Sequence, residues 1–286
     1  METTSYHMSE EPRFEADYSD RQTTAAHRVL VDLGQVLASF KACVVVVGGW
    51  VPDLLIQNSA EPHVKSIDVD LALDAAKLTD GRYAELLALL LDTRRYERSE
   101  KPFQLFTTVD LGDGQNPVRV DVDFLAPSEF KLRSRRPKRI EGFRVQQADG
   151  CGAAFRAPEA IIVEGRMTNG ALNAVELWVA ALPDFLVMKC YALRGRDKPK
   201  DAYDICFCLD QVADGGAAIA AIWKERAQDK DIVVALEILR SKFDSANDYG
   251  PRQVAEFHQS TDATERGIQA QRAFQLVQRF LAFVGE

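Results

Sequence analysis

The sequence predicts an α+β protein, in which a mixed β-sheet flanked by helices is followed by a helical C-terminal part. Short apolar or alternating runs that are typical of strands, such as CVVVV and VRVDVDF, lie within the first 180 residues. Beyond Pro183, apolar residues recur at helical spacing instead. A chain of 286 residues is long enough for two domains. We therefore predict an N-terminal arm over residues 1–20, an α+β domain over 21–180 and a helical domain over 181–286.

The arm, METTSYHMSEEPRFEADYSD, is polar and lacks the basic-then-apolar order of a secretory signal, so we expect it to be flexible. No apolar run reaches the length of about 18 residues that would predict a membrane span. The five cysteines are an odd number and lack the paired spacing of a zinc ribbon. We expect reduced thiols in a cytoplasmic protein.

The first regular elements lead up to a glycine pair. Apolar residues at helical spacing predict a helix over residues 23–40, capped by Thr23 or Thr24. CVVVV, residues 43–47, predicts a short buried strand because it is apolar throughout and mostly β-branched. Pro52 suits the first turn of a short helix just beyond the glycines.

Gly48 and Gly49 lie between that strand and that helix. Glycines at such a place let a ligand approach the backbone and expose amide N–H groups to phosphate. The pair matches neither the Walker motif nor G-x-G-x-x-G, and taken alone it more often marks a simple tight turn. Ser66, shortly downstream, has two explanations: its hydroxyl binds a phosphate, or it only solvates the next strand.

Two strand-like runs each carry a pair of carboxylates. SIDVDLAL holds Asp68 and Asp70, and VRVDVDF holds Asp121 and Asp123. Residues two apart in a strand point to the same face, so each pair shares a face while the apolar neighbours point into the core. The runs FQLFTTVD and VRVDVDFLA flank the turn-rich LGDGQNP and predict a hairpin. If the two acidic strands are neighbours in one sheet, three or four carboxylates converge.

Converging carboxylates repel one another unless a cation neutralises them. Mg²⁺ binds one or two carboxylates together with substrate phosphates. Two such ions can orient an attacking oxygen and stabilise a leaving pyrophosphate. The alternative is a solvated strand face, which is common for a single Asp-x-Asp. Aspartate is a poor strand former, so four of them in two strands favour the metal site.

The C-terminal part supplies further charged candidates. LPDFLVMKCYALRG and DKPKDAYDICFCLDQV predict two consecutive helices. Asp197, Asp201 and Asp204 follow i, i+4, i+7 spacing and would share one helix face. Lys189, on the preceding helix, would reach them if the two helices pack antiparallel. A surface ion-pair network is the alternative, above all for Asp197 and Asp201.

The net charge of −8 argues against a general affinity for nucleic-acid backbones. KLRSRRPKR, residues 131–139, departs from this balance with six basic residues and no acid. This stretch either contacts RNA phosphates or forms a solvated loop.

The glycine pair at 48–49, the Asp-Val-Asp at 68–70 and a third carboxylate in a later strand together resemble the nucleotidyltransferase superfamily with a polymerase-β-like palm. GGWVPDLLI is similar to its antibiotic-modifying and tRNA-end-adding branches. FLVMKCYALRGRDKPKDAYDICFCL is similar to the Lys-then-K-x-x-D tract of the AbiEii-like toxins of abortive-infection and type IV toxin–antitoxin systems. The resemblance covers residues 40–210 and implies that residues 21–180 form the catalytic domain.

This resemblance implies a metal site formed by Asp68, Asp70 and a third carboxylate, holding Mg²⁺ or Mn²⁺. Asp121 is favoured as the third carboxylate because the family's third acid usually opens an apolar run. Asp123 follows so closely that it remains a further candidate ligand.

The resemblance also implies that Gly48, Gly49 and Ser66 hold the triphosphate of a nucleoside triphosphate (NTP). Lys189 would contact that triphosphate or the acceptor. Asp204 would be the acid of the fourth family motif.

These roles imply Mg²⁺-dependent transfer of a nucleoside monophosphate from an NTP to an acceptor hydroxyl. The AbiEii-like resemblance implies a tRNA 3′ end or a protein as acceptor, with RNA contacts through residues 131–139 and a cognate antitoxin as a further partner. A small acceptor such as an aminoglycoside is the alternative suggested by GGW and the acidic total charge. A non-catalytic nucleotide-binding or partner-binding module is the third reading, which the intact carboxylates disfavour.

Overall fold

A computed structural model describes residues 11–74, 77–78, 82–128 and 144–285. The first ten residues of the predicted arm and the whole basic stretch 131–139 lie outside the described residues. The α+β prediction is confirmed. The change from a sheet with helices to helices alone falls between the last strand, which ends at Val179, and the helix that begins at Leu182.

The strands and helices alternate only in the N-terminal part of the chain. The strands are β1 (Val44–Val47), β2 (Val69–Leu73), β3 (Glu97–Arg98), β4 (Gln104–Val109), β5 (Val118–Pro127), β6 (Gln146–Ala148), β7 (Glu159–Arg166) and β8 (Leu172–Val179). The helices are α1 (Asp20–Val36), α2 (Val51–Leu55), α3 (Arg82–Asp92), α4 (Leu182–Gly195), α5 (Pro199–Gln211), α6 (Ala217–Glu225), α7 (Lys230–Lys242), α8 (Tyr249–Phe257) and α9 (Ala263–Gly285).

One mixed sheet runs in the order β3-β4-β5-β2-β1-β8-β7, and β6 pairs with the end of β5. β2 is antiparallel to β1 and parallel to β5, so the two acidic strands are neighbours as predicted. β4 and β5 form the predicted antiparallel hairpin. Because β2 and β5 run in the same direction, equivalent positions on them stand side by side.

The first helix differs from the prediction at both ends. α1 begins at Asp20, and its cap is Ser19, whose hydroxyl oxygen accepts a hydrogen bond from the backbone N–H of Gln22. The prediction of a cap at Thr23 or Thr24 is therefore wrong; Thr23 lies inside the helix, where its hydroxyl donates to the carbonyl of Asp20. α1 ends at Val36, and the chain continues in 3₁₀ turns to β1.

The larger of two hydrophobic clusters among the described residues extends through both halves of the chain. It includes Leu30 of α1, Val46 of β1, Phe185 of α4 and Phe280 of α9, each nearly or fully buried. All five cysteines are buried thiols. None of the described helices combines the length and the apolar character needed to cross a membrane.

Residues 11–19, the described portion of the predicted arm, contact the C-terminal helices. The Arg13 guanidinium donates to Glu256 over 2.8 Å and to Asp197 over 3.0 Å. The Tyr18 ring packs against Phe257, with centroids 6.0 Å apart. This segment therefore connects the start of α1 to α8.

Candidate functional site

The sheet places two of the predicted carboxylates in register. Asp70 of β2 is the direct neighbour of Asp123 of β5, and Val69 is the neighbour of Val122. The apolar residues that alternate with them are buried, which fixes the face on which the carboxylates lie. Asp68 directly precedes β2, and its backbone carbonyl accepts a 2.8 Å hydrogen bond from Trp50 Nε1.

Two of these carboxylates, Asp70 and Asp123, have a raised pKa. Burial raises the pKa of Asp70 to about 8, and the nearby charges of Asp68 and Asp123 add to the effect. Burial also raises the pKa of Asp123 to about 6, although Gln104 Nε2 donates a 2.7 Å hydrogen bond to its Oδ1 and works in the opposite direction. Asp68, Asp70 and Asp123 thus form a half-buried cluster of like charges, which we call the carboxylate cluster.

Asp121 lies on the same face of β5 but further from Asp70. It stands opposite Phe106 of β4, and its side chain is 33% exposed. Arg119 Nε donates a 2.8 Å hydrogen bond to its Oδ1. The structure therefore brings Asp123 against Asp70 and leaves Asp121 paired with an arginine at the edge of the cluster.

The glycine pair lies against the carboxylate cluster and has no room for side chains. Gly48 has a φ of +70°, and a Cβ there would overlap the carboxylate of Asp70. A Cβ on Gly49 would lie 3.0 Å from Ser66 Oγ and 3.3 Å from Lys200 Nζ. Ser66 is buried, and its hydroxyl donates to the carboxylate of Asp68. The structure therefore gives Ser66 a contact within the cluster rather than a solvated place on a strand.

A second charged cluster lies between α4 and α5. Lys189 Nζ is 2.8 Å from Asp201 Oδ1 and 2.7 Å from Asp204 Oδ2, so the predicted contact between the two helices is present. Lys200 Nζ lies 2.6 Å from Asp204 Oδ1, and Arg196 Nε lies 2.7 Å from Asp201 Oδ2. We call these residues the helical ion network.

Opposite charges govern the pKa values of this network. Burial opposes ionisation of Asp201, but Lys189 and Arg196 more than offset it and hold its pKa at about 2. Burial likewise opposes ionisation of Asp204, yet Lys189 and Lys200 hold its pKa well below the usual range. Both carboxylates are therefore ionised and paired.

The prediction that Asp197 shares a helix face with Asp201 and Asp204 is wrong. α5 begins only at Pro199, so Asp197 lies in the preceding turn. Its side chain is 61% exposed and bonds to Arg13 and Tyr249 instead. Pro199 sets the helix start, because a proline is accepted at the first positions of a helix but not further along it.

Sequence reasoning missed His63 and Lys200. His63 Nε2 lies 2.9 Å from Asp204 Oδ1, and burial together with Lys200 lowers the pKa of His63 to about 4, so its ring is neutral. The i, i+4 spacing from Lys200 to Asp204 predicts an ion pair between them on one helix face. Nothing in the sequence pairs His63 with Asp204, because that contact depends on the path of the loop before β2.

The two clusters are adjacent. The positive charges of Lys198 and Arg196 lower the pKa of Asp70 in part, against the larger effect of burial. Gly48 lies against Asp70, and a Cβ on Gly49 would meet Lys200 Nζ as well as Ser66 Oγ. The glycine turn therefore lies between like charges on the sheet and paired charges on α5.

The donor set suits a hard divalent cation, since carboxylate oxygens are the ligands that Mg²⁺ prefers and a cation would relieve the repulsion among them. Across the part of the chain that the structure describes, no three or more His, Cys, Asp or Glu side chains are already arranged as ligands of one ion. The fit therefore rests on the chemistry and proximity of the three carboxylates.

The solved structures that this chain matches share little sequence identity with it. An antigenic nucleotidyltransferase-like protein from Paracoccidioides brasiliensis is 17% identical, with a TM-score of 0.42 over 78% of this chain and 89% of the other. JHP933 from Helicobacter pylori is 13% identical, with 0.41 over 92% and 94%. The nucleotidyltransferase toxin MenT4 from Mycobacterium tuberculosis is 13% identical, with 0.40 over 95% and 94%.

A search of curated protein sequences found no significant match. A family model described as "Nucleotidyl transferase AbiEii toxin, Type IV TA system" matches residues 60–279. The matched span contains the carboxylate cluster and the helical ion network, and it begins after the glycine pair. Because the match covers well over half of the sequence, the chain belongs to the AbiEii family of nucleotidyltransferase toxins from type IV toxin–antitoxin systems.

Proposed function

We propose that this protein is a Mg²⁺-dependent, or Mn²⁺-dependent, toxin of the cytoplasm that transfers a nucleoside monophosphate from an NTP to an acceptor hydroxyl. The acceptor in this proposal is a tRNA 3′ end or a protein, and a cognate antitoxin is the partner that restrains the enzyme. One observation carries the proposal: Asp70 and Asp123 stand in register on parallel strands, with Gly48 directly against Asp70.

Asp68, Asp70 and Asp123 would hold the metal. When bound, the metal would neutralise the phosphates and favour departure of pyrophosphate. In this proposal the triphosphate lies along the backbone of Gly48 and Gly49, beside these carboxylates. Ser66 holds the Asp68 carboxylate in place through its hydroxyl.

Asp123 is the third carboxylate in this proposal, rather than the Asp121 that the family pattern favoured. Asp123 faces Asp70 directly, whereas Asp121 is bonded to Arg119. Gln104 occupies Oδ1 of Asp123 and leaves Oδ2 to accept the proton of the attacking hydroxyl.

Lys189 and Asp204 act in this proposal by positioning. Lys189 is buried and forms ion pairs with Asp201 and Asp204, so it holds the start of α5 against α4. Asp204 in turn orients Lys200, whose ammonium group lies beside Gly49.

The test incubates purified protein with each of four α-labelled NTPs and three acceptor pools: total RNA, a cytosolic protein extract and an aminoglycoside mixture. We expect label on RNA or protein with the wild type and none with Asp70→Asn. Label on the aminoglycosides alone would move the activity to the antibiotic-modifying class. Equal labelling by both proteins would overturn the proposed site.

A further inference from the structure

Phe106 and Arg119 lie on the sheet face beside the carboxylate cluster, and the proposed function gives neither of them a role in binding or catalysis. The Arg119 guanidinium lies over the Phe106 ring, with Cζ 4.0 Å from the ring centroid. Arg119 is fixed by its hydrogen bond to Asp121, and its side chain is 43% exposed. We call this pair the Phe106–Arg119 platform.

The register puts this platform on the same face as the carboxylates. On the β4–β5 hairpin, Gln104 stands opposite Asp123, Phe106 opposite Asp121 and Thr108 opposite Arg119. Directly opposed residues of an antiparallel pair share a face. Phe106 is half-buried there, whereas Leu105 and Val109 point to the other face and are fully buried.

The platform lies on the side of Asp70 that is remote from the glycine turn. The strands run β1, β2, β5, β4 across the sheet, so Asp70 and then Asp123 separate the platform from the glycines. With about 4.8 Å between neighbouring strands, β4 lies roughly 14 Å from β1. A triphosphate at the glycines therefore leaves the platform on the side from which an acceptor hydroxyl would reach Asp123.

From this arrangement we infer that the Phe106–Arg119 platform stacks the terminal base of a nucleic-acid acceptor, whose hydroxyl is thereby directed to Asp123. The inference rests on the proposed function and makes it more specific, since it favours a nucleotide-ended acceptor over a protein or an aminoglycoside. A guanidinium plane held against an aromatic ring is a recurrent surface for single-stranded bases. The Asp121 carboxylate keeps the arginine in that position.

The test compares a short single-stranded oligoribonucleotide with the same molecule ending in an abasic nucleotide. Binding is measured by fluorescence anisotropy in the presence of a non-hydrolysable NTP analogue and Mg²⁺. We expect the wild type to bind the complete oligoribonucleotide about tenfold more tightly than the abasic one, the size typical of one stacked base. Phe106→Leu should bind both equally, and Phe106→Trp should keep the preference.

Arg119→Lys separates stacking from charge, because lysine keeps the positive charge but has no planar group. We expect Arg119→Lys to lose most of the preference for the terminal base. Thr108→Ala, on the same face but one residue pair further from Asp123, is the matched control and should retain it.

Three results would overturn the platform: no oligoribonucleotide binding by the wild type, no difference between complete and abasic oligoribonucleotides, or a full preference in Arg119→Lys. A fourth is a rise in the KM for NTP rather than for the acceptor in Phe106→Leu, which would assign the platform to the base of the NTP. Failure of the proposed function would give a different result in the labelling experiment. Labelling would be absent, or would be equal for the wild type and Asp70→Asn. Neither result depends on the Phe106 and Arg119 variants.

Discussion

The carboxylate cluster and the helical ion network use the same residue type in opposite ways. On the sheet, burial and like charges raise the pKa of Asp70 to about 8 and that of Asp123 to about 6. Between α4 and α5, Lys189 and Arg196 hold the pKa of Asp201 at about 2, although burial opposes it. Lys189 and Lys200 hold the pKa of Asp204 well below its usual range against the same effect. The two clusters meet at Gly49, beside Ser66 and Lys200.

In the proposed function, this difference separates the residues that would take part in catalysis from those that support the fold. A network of paired charges is complete in the protein itself, and its removal leaves uncompensated buried charge. Like charges in a cluster repel one another and destabilise the folded protein until a cation binds and neutralises them, so such a cluster indicates a ligand site. Substitutions in the two clusters should therefore have opposite effects on stability.

The largest effect is expected for Asp70→Asn, which removes the central member of the carboxylate cluster. Nucleotide transfer should fall by about a thousandfold or more, equivalent to ~4 kcal/mol of transition-state stabilisation. The free energy of unfolding should not fall, because a carboxyl group with a pKa of about 8 is protonated at neutral pH and asparagine replaces it without loss of a charge. Initial rates and urea unfolding measure the two effects. If Asp70→Asn were inactive because it is unfolded, the contrast between the carboxylate cluster and the helical ion network would be contradicted.

Asp204→Asn should act in the opposite way, through stability. It leaves Lys200 without its carboxylate partner in a buried place and should cost about 3–5 kcal/mol in the free energy of unfolding. Asp210→Asn is the matched control on the same helix. Its partner Arg272 is 59% exposed, so a loss below about 1 kcal/mol is expected. Equal losses for the two variants would contradict a structural role for the network.

His63 should make the network sensitive to acid. Its pKa in the folded protein is about 4, because burial and the lysines Lys200 and Lys189 outweigh Asp204, against 6.5 when it is unfolded. The unfolded state therefore binds a proton that the folded state excludes, and stability falls as the pH drops from about 6.5 to 4. The loss should be about 3 kcal/mol. Urea unfolding at several pH values should show a flatter profile for His63→Gln; an unchanged profile would contradict the account.

The smallest effect separates the two carboxylates of β5. Asp123→Asn should lower the rate of transfer by about a hundredfold, as expected for loss of a general base. Asp121→Asn should change it less than about tenfold, because its carboxylate is partly exposed and bonds to Arg119. Rates at saturating NTP and Mg²⁺ measure both. The reverse order would restore Asp121 as the third carboxylate.

The sequence predicted the elements of the site better than their register. The two-residue period of Asp68 and Asp70 identified an acidic strand, and the turn between β4 and β5 identified a hairpin. The choice between Asp121 and Asp123 depends on how β2 lies beside β5, and β2 begins only at Val69, later than the apolar pattern suggested. Where the loop before β2 ends is set by tertiary contacts, which the local pattern does not contain.

The absence of tertiary contacts from the local sequence pattern also explains which ion pairs could be predicted. Lys189 was predicted to reach the acids of α5, because consecutive helices with a short connection pack side by side. His63 approaches Asp204 from 141 positions away, between the rings of Tyr203 and Phe207, and no periodicity links such residues. The start of α5 could have been read from Pro199, which would have removed Asp197 from the helix face.

The central claim is that the carboxylate cluster is completed by a divalent cation, and thermal unfolding with and without Mg²⁺ tests it most directly. With a non-hydrolysable NTP analogue present, Mg²⁺ should raise the Tm of the wild type and of Asp121→Asn by several degrees. It should leave Asp70→Asn and Asp123→Asn almost unchanged. A rise of equal size in all four proteins, or in none of them, would contradict the account.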